Sequence, residues 1–277
     1  MINIIYNAIS LAKDLIQPAT ANEILHGKKL FRSSTRYQTT WLKHFYPNNL
    51  ISPEKNTWHY LQQYMMPLIM KNASSYHVNG IRLLNLDVDT QPAFKLFQCQ
   101  FAQISNGFTI EPVDKEIAAK EYFELIHQKR FPCIAKMREH EELFCASEPD
   151  FWHEAIGHIA PLCFKEVQEF YIAIAECILS ATTMEEFHRR LAIAWTLLEY
   201  GFLKENGQDK MFGAALVGSH LANMRYEQKL IAIEPATRDA ILESGFYEED
   251  SPSPKDEHGR FRFFCLPTLS IDQLFIE

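Results

Sequence analysis

The chain is short of the residues that loosen or divide a fold. Its 277 residues include only 10 glycines and 13 prolines, with no repeat and no low-complexity tract, so extended disorder and a flexible inter-domain linker are not expected. No apolar run reaches the ~20 residues that a bilayer-spanning helix needs. The N-terminus lacks a basic flank ahead of an apolar core, which excludes a conventional secretion signal; a specialised one would escape this test. Ile5, Ile9, Ala12 and Ile16 fall at helical spacing instead and predict a short amphipathic helix ending before Pro18. Positive charge is also scarce: 27 Lys and Arg against 35 Asp and Glu leave a net charge of −8, which argues against a nucleic-acid partner. The six cysteines form no Cys-x-x-Cys pair and sit among apolar residues, as reduced thiols of a cytoplasmic protein do.

What is present is a chain of 47% hydrophobic residues, enough for one large core. Apolar residues recur with helical period over residues 58–70, 93–104 and 118–127, and residues 108–113 alternate as a strand would. Two strong amphipathic helices follow. Val167, Phe170, Tyr171, Ile174 and Ile178 line one; Leu191, Trp195, Leu198 and Phe202 line the other, which weakens at Gly201. Residues 248–259 form an acidic, Pro-containing surface loop, and Phe261–Leu266 is a further strand candidate. The expected fold class is mainly α with a few short strands. Residues 1–50 form a helical or irregular segment packed on a single domain over 51–277.

The chemistry concentrates in residues 147–162, SEPDFWHEAIGHIAPL. His153 and His158 offer two imidazoles to one ion, with Glu154 beside the first. A zinc metalloprotease places its two histidines at i and i+4 on one helical face. Here the spacing is i and i+5, which on a regular helix leaves the side chains roughly 140° apart. The protease motif is not met, and only a distorted or terminating helix lets both rings reach one metal; Pro161 marks such an ending. An oxygen-activating iron would need a carboxylate as third ligand, leaving one face of its octahedron open. Glu199 suits it, because an acid beside an apolar stripe needs a counter-charge. Taken alone, these residues leave the metal undecided between iron and a hydrolytic zinc with Glu154 as base.

The same residues resemble the signature of the pterin-dependent aromatic amino acid hydroxylases, which runs Pro-Asp-x-x-His-Glu-x-x-Gly-His. This chain has Pro149, Asp150, His153, Glu154, Gly157 and His158. Trp195, Glu199, Tyr200 and Gly201 match the family's downstream Trp-x-x-x-Glu-aromatic-Gly. The resemblance implies the family's catalytic-domain fold, Fe(II) on His153, His158 and Glu199, and Asp150 holding His153 in the right tautomer. It implies a tetrahydrobiopterin-like cofactor against Glu154 and Tyr122, with O2 as co-substrate. Arg138 would grip the carboxylate of an aromatic amino acid, and Trp195, Tyr200, Ser147 and Ser219 would line the substrate pocket. Trp195 matches a residue that is Trp in phenylalanine and tyrosine hydroxylases, which puts phenylalanine first. A non-catalytic metal-binding relative is the remaining alternative.

Four departures fall around the substrate. The family's proline after the second histidine comes one place later, at Pro161, and its Tyr-Thr-Pro becomes Cys145–Ala146–Ser147. Pro132 stands for a histidine near the pterin, and Gly218–Ser219, followed by His220, stands for a serine-rich stretch. No preceding regulatory domain and no long C-terminal heptad helix is expected, so the protein should be a monomer or dimer.

Overall fold

The computed structural model describes residues 56–143, 146, 148–244, 258, 260–272 and 274–275. The expected N-terminal helix, Ser147 and almost all of the acidic loop lie outside these residues.

Asn56 opens helix α1 (Thr57–Tyr64) by accepting the N–H of His59 at 3.0 Å. The periodic stretch 58–70 is not one helix: the chain breaks at Met65 and resumes as α2 (Met66–Asn72). Pro67 is the cause, because it has no N–H to donate to the preceding turn and is tolerated only at a helix start. Then come α3 (Ser75–Leu83) and α4 (Phe94–Ile104). Strands β1 (Thr109–Val113) and β2 (Arg130–Ile134) pair in parallel, joined by helix α5 (Ala119–His127).

After a π-helical turn at His153–Ile159, helix α6 (Lys165–Leu179) and helix α7 (Met184–Tyr200) supply the two long apolar faces. Thr183 caps α7 by accepting from Glu186 N–H, and Gly201 ends it. Phe202, expected on the α7 stripe, therefore belongs to strand β3 (Phe202–Glu205), which turns back into β4 (Gln208–Met211). The remaining elements are α8 (Ala214–Val217), α9 (His220–Glu227), β5 (Ile231–Pro235), α10 (Arg238–Glu243) and β6 (Phe261–Leu266). The second sheet has the order β4-β3-β6-β5, with β6 parallel to both neighbours. The fold is mainly α with short strands.

One apolar core runs from Trp58 to Phe275. Trp58 packs edge-on against Trp152 at 5.0 Å and stacks near Phe151 at 5.9 Å, while its indole N–H donates to Val88 O. Each such buried side chain contributes about 1.5–3 kcal/mol. These rings thus anchor the two residues just before His153. Among the described residues, no helix is long and apolar enough to cross a membrane.

Candidate metal centre

The five-residue histidine spacing is resolved by the π-turn. Its backbone bonds run from i to i+5, as Ala160 N–H to Ala155 O shows at 3.0 Å, so residues five apart stand over one another on one face. Three contacts hold this geometry. Asp150 Oδ1 accepts the N–H of His153 at 3.1 Å. Gly157 lies against α8, where a Cβ would stand 2.6 Å from the Ala214 Cβ. His77, from α3, donates through Nε2 to the Gly157 carbonyl at 2.9 Å, and its Nδ1 accepts from the Ser74 hydroxyl at 2.8 Å. Burial lowers the pKa of His77 to about 4, so the ring is neutral, as this pattern requires.

The two imidazoles meet edge-on, with centroids 4.9 Å apart. Glu199, in the last turn of α7, reaches both: its carboxylate is 3.0 Å from Nε2 of His158 and 3.6 Å from Nε2 of His153. Glu154 is a rival third donor, since one of its oxygens lies within 4.8 Å of a nitrogen of each histidine. Charge separates the two acids. Burial pushes Glu154 well above the ordinary carboxylate range, and Glu199 and Asp150 push it further. Burial acts on Glu199 the same way, but His158, His153 and the N–H of Ala215 outweigh it and hold its pKa below the ordinary value. Gly213 brings that N–H close: a Cβ there would be 2.3 Å from the Glu199 carbonyl carbon. Glu199 is therefore the acid that is ionised and nearest. Burial lowers His153 to about 4, so it too is neutral, the form that binds metal.

The other expected residues divide. Asp150 does lie beside His153, but its recorded bond is to the backbone N–H rather than to the imidazole. Its main partner is Arg138, whose Nη2 and Nε donate to its two oxygens at 2.7 and 2.8 Å. The guanidinium expected to hold a substrate carboxylate thus already grips an acid, with Nη1 3.3 Å from Leu143 O. Tyr122 and Trp195 form one aromatic wall, centroids 5.3 Å apart, continued by Phe123. The Tyr122 hydroxyl and Trp195 indole nitrogen are buried without a hydrogen-bond partner. Ser219 caps α9 through its hydroxyl, which accepts from Ala222 N–H, so that oxygen serves the helix. Tyr200 is buried in the core at the end of α7. His220 is buried and kept neutral, its pKa lowered to about 4 by desolvation.

Sequence reasoning missed Tyr171, whose hydroxyl lies 3.0 Å from Nδ1 of His158, and His77. Tyr171 reads as one more apolar residue on its helix face, and His77 sits 80 residues from the carbonyl it holds. Neither carries a local signal.

Residues 42–236 match the family described as biopterin-dependent aromatic amino acid hydroxylase. The chain belongs to this family. Among curated hydroxylases of this kind, it is 29% identical over 166 residues to the phenylalanine-4-hydroxylase of Vibrio cholerae, covering 60% of this chain and 57% of that one. It is 27% identical over 171 residues to the tyrosine 3-monooxygenase of Schistosoma mansoni, covering 60% and 36%. The alignments thus span less than two thirds of either relative. The hydroxylase fold is shared with the Chromobacterium violaceum phenylalanine hydroxylase structure that holds iron(III) and oxidised 7,8-dihydrobiopterin, at TM-score 0.68 and 20% identity over 87% of this chain and 88% of that one.

Proposed function

We propose that the protein is an iron- and tetrahydropterin-dependent monooxygenase that hydroxylates the ring of an aromatic amino acid, phenylalanine first and then tyrosine or tryptophan. The observation that carries this reading is the convergence of two imidazoles and one ionised carboxylate, with Glu199 within 3.6 Å of both rings. Such a donor set suits Fe(II) and leaves positions open on the metal. His153, His158 and Glu199 would hold the iron, and iron with reduced pterin supplies the activation of O2.

The chain's own residues bind and orient. Tyr122 and Trp195, their rings tilted by 55°, offer an apolar wall to the rings of pterin and substrate, with Tyr200 deeper in the core. Arg138, oriented by Asp150, offers a cation to the amino acid's carboxylate, and Ser147 is the nearby hydroxyl in the sequence. Glu154, kept reluctant to ionise, faces the pterin without adding a second charge next to Glu199. Phenylalanine stands first because the Vibrio cholerae relative is a phenylalanine-4-hydroxylase and because of Trp195.

The test is anaerobic loading of the purified protein with Fe(II), followed by O2, tetrahydrobiopterin and an equimolar mixture of Phe, Tyr and Trp. The expected result is a product heavier by one oxygen atom, phenylalanine consumed first, and none in His153→Ala. Product formed without pterin would remove the pterin from the reading. Stoichiometric zinc with peptidase or esterase activity would replace it with a hydrolase.

A further inference from the structure

A groove of about 570 Å3, sharing no residue with the metal centre, opens between α1, α2 and the loop that follows α3. Met66, Pro67 and Met70 give it an apolar side, and Asp87 and Asp89 an acidic one. Val88, between the two aspartates, is 46% exposed. The acids meet one imidazole there, with His59 Nδ1 3.6 Å from Asp89 Oδ2. None of the described residues that line the groove is Lys or Arg. Its walls are already joined: the Trp58 indole N–H donates to Val88 O at 2.8 Å, and the Gln62 amide donates to Leu86 O. The groove is therefore a fixed receptor with two carboxylates beside thioethers, side chains that adapt to the shape of what covers them.

The chain's charge is unevenly spread. Residues 1–55 contain seven Lys and Arg against three Asp and Glu, whereas residues 56–277 contain 20 against 32. Residues 24–53 contain no acid at all. Within them, residues 24–36 read ILHGKKLFRSSTR, with Leu30 and Phe31 set between Lys28–Lys29 and Arg32. This is the pattern the groove complements, an apolar pair flanked by cations. We infer that residues 24–36 dock in this groove of their own chain, Leu30 and Phe31 against Met66, Met70 and Val88, and Lys28 and Lys29 against Asp87 and Asp89. Exposed ion pairs alone hold little, so the apolar pair supplies the grip and the charges set its placement. The reach is ample, because the residues between Arg36 and Asn56 extend by up to ~3.3 Å each and α1 enters the groove at His59. The tether also makes the encounter intramolecular, which favours the chain's own segment over a separate partner of equal contacts.

Two measurements on the full chain test this. In the first, a dilute equal mixture of 14N and 15N protein is treated with a carbodiimide, which joins an amine to a carboxylate in direct contact, and is then digested for mass spectrometry. The expected product is an amide between Lys28 or Lys29 and Asp87 or Asp89, with both halves carrying the same isotope. Cross-links of mixed isotope would assign the segment to a second copy and overturn the inference, as would the absence of any link between these residues. In the second, chymotrypsin cleavage after Phe31 is timed in the native protein, each rate divided by that of the free 24–36 peptide of the same sequence. Asp87→Lys/Asp89→Lys should speed cleavage about 10-fold, and Lys28→Glu/Lys29→Glu should do the same. Combining the two reversals should restore the protection, because the charges then match again. Equal rates in the unsubstituted and Asp87→Lys/Asp89→Lys proteins would overturn the inference. The cross-link is read on the unsubstituted chain, so misfolding of a variant leaves the test intact.

Discussion

Arg138 and Asp150 form a two-pronged ion pair in which neither side chain is more than 5% exposed. The same aspartate takes the backbone N–H of Arg138 at 2.9 Å and that of His153 at 3.1 Å. It therefore ties the strand-to-turn segment to the start of the π-turn and holds the guanidinium in place. Asp150→Asn should cost about 3–5 kcal/mol, because it removes the carboxylate charge that pairs with a buried guanidinium. The double variant Arg138→Met/Asp150→Leu should recover most of that stability while metal affinity falls, since a leucine at position 150 cannot accept the His153 N–H that an asparagine there still can. Denaturant midpoints and metal titrations on the three proteins check this. A double variant no more stable than Asp150→Asn would mean that the pair is not the source of the loss.

Which acid completes the metal site is decided by a second pair of variants. Glu199→Gln should leave the protein without stoichiometric iron, since it removes the ionised oxygen nearest both imidazoles. Glu154→Gln should keep one iron per chain, because burial already disfavours its charge. Metal content after anaerobic loading and desalting reads both. Iron retained by Glu199→Gln and lost by Glu154→Gln would reverse the assignment.

The candidate ligand residues could be named from the sequence, but the geometry that brings them together could not. His153, His158 and Glu199 can be picked out from spacing and from the oddity of an acid on an apolar face. Helical arithmetic, however, puts the two histidines on different sides, and only the i to i+5 backbone of residues 153–159 brings them together. That backbone depends on Gly157 meeting Ala214 and on His77 holding a carbonyl, contacts between segments far apart in the chain. The same limit explains Phe202: a strand is fixed by its partners, here Met211 and Cys265, which a helical period cannot register. Arg138 and Asp150 were each singled out, yet nothing in a spacing of twelve announces an ion pair.

The buried histidines make the fold sensitive to mild acid. His77 is fully buried with its pKa lowered to about 4, against about 6.5 in an unfolded chain. Below 6.5 the unfolded chain takes up a proton that the folded chain refuses until pH nears 4. The stabilisation is therefore complete above pH 6.5 and is lost as pH falls towards 4. His153 and His220 are displaced in the same direction. Replacing His77 isolates one share: in His77→Gln the fall in unfolding free energy between pH 7 and pH 5 should be smaller by about 2 kcal/mol. Urea titrations at the two pH values measure it, and equal slopes would place the acid sensitivity elsewhere.

Gly157 is where core packing meets the candidate metal site most directly. A Cβ at this position would stand 2.6 Å from the Cβ and 2.9 Å from the Cα of Ala214, so the π-turn and α8 would have to part. The N–H of Ala215, one residue further along α8, helps keep Glu199 ionised. Displacing α8 thus weakens the carboxylate as well as the turn that carries the histidines. Gly157→Ala should cost about 1–3 kcal/mol, the usual range for overpacking a filled interior. Its metal affinity should fall more than that of a variant equally destabilised elsewhere in the core, such as Ile241→Val or Ile241→Ala, whichever matches it in stability. Comparing Co(II) affinities of the matched proteins separates the two effects. If affinity simply tracks stability, Gly157 is a packing residue and the coupling through Ala215 to Glu199 is not there.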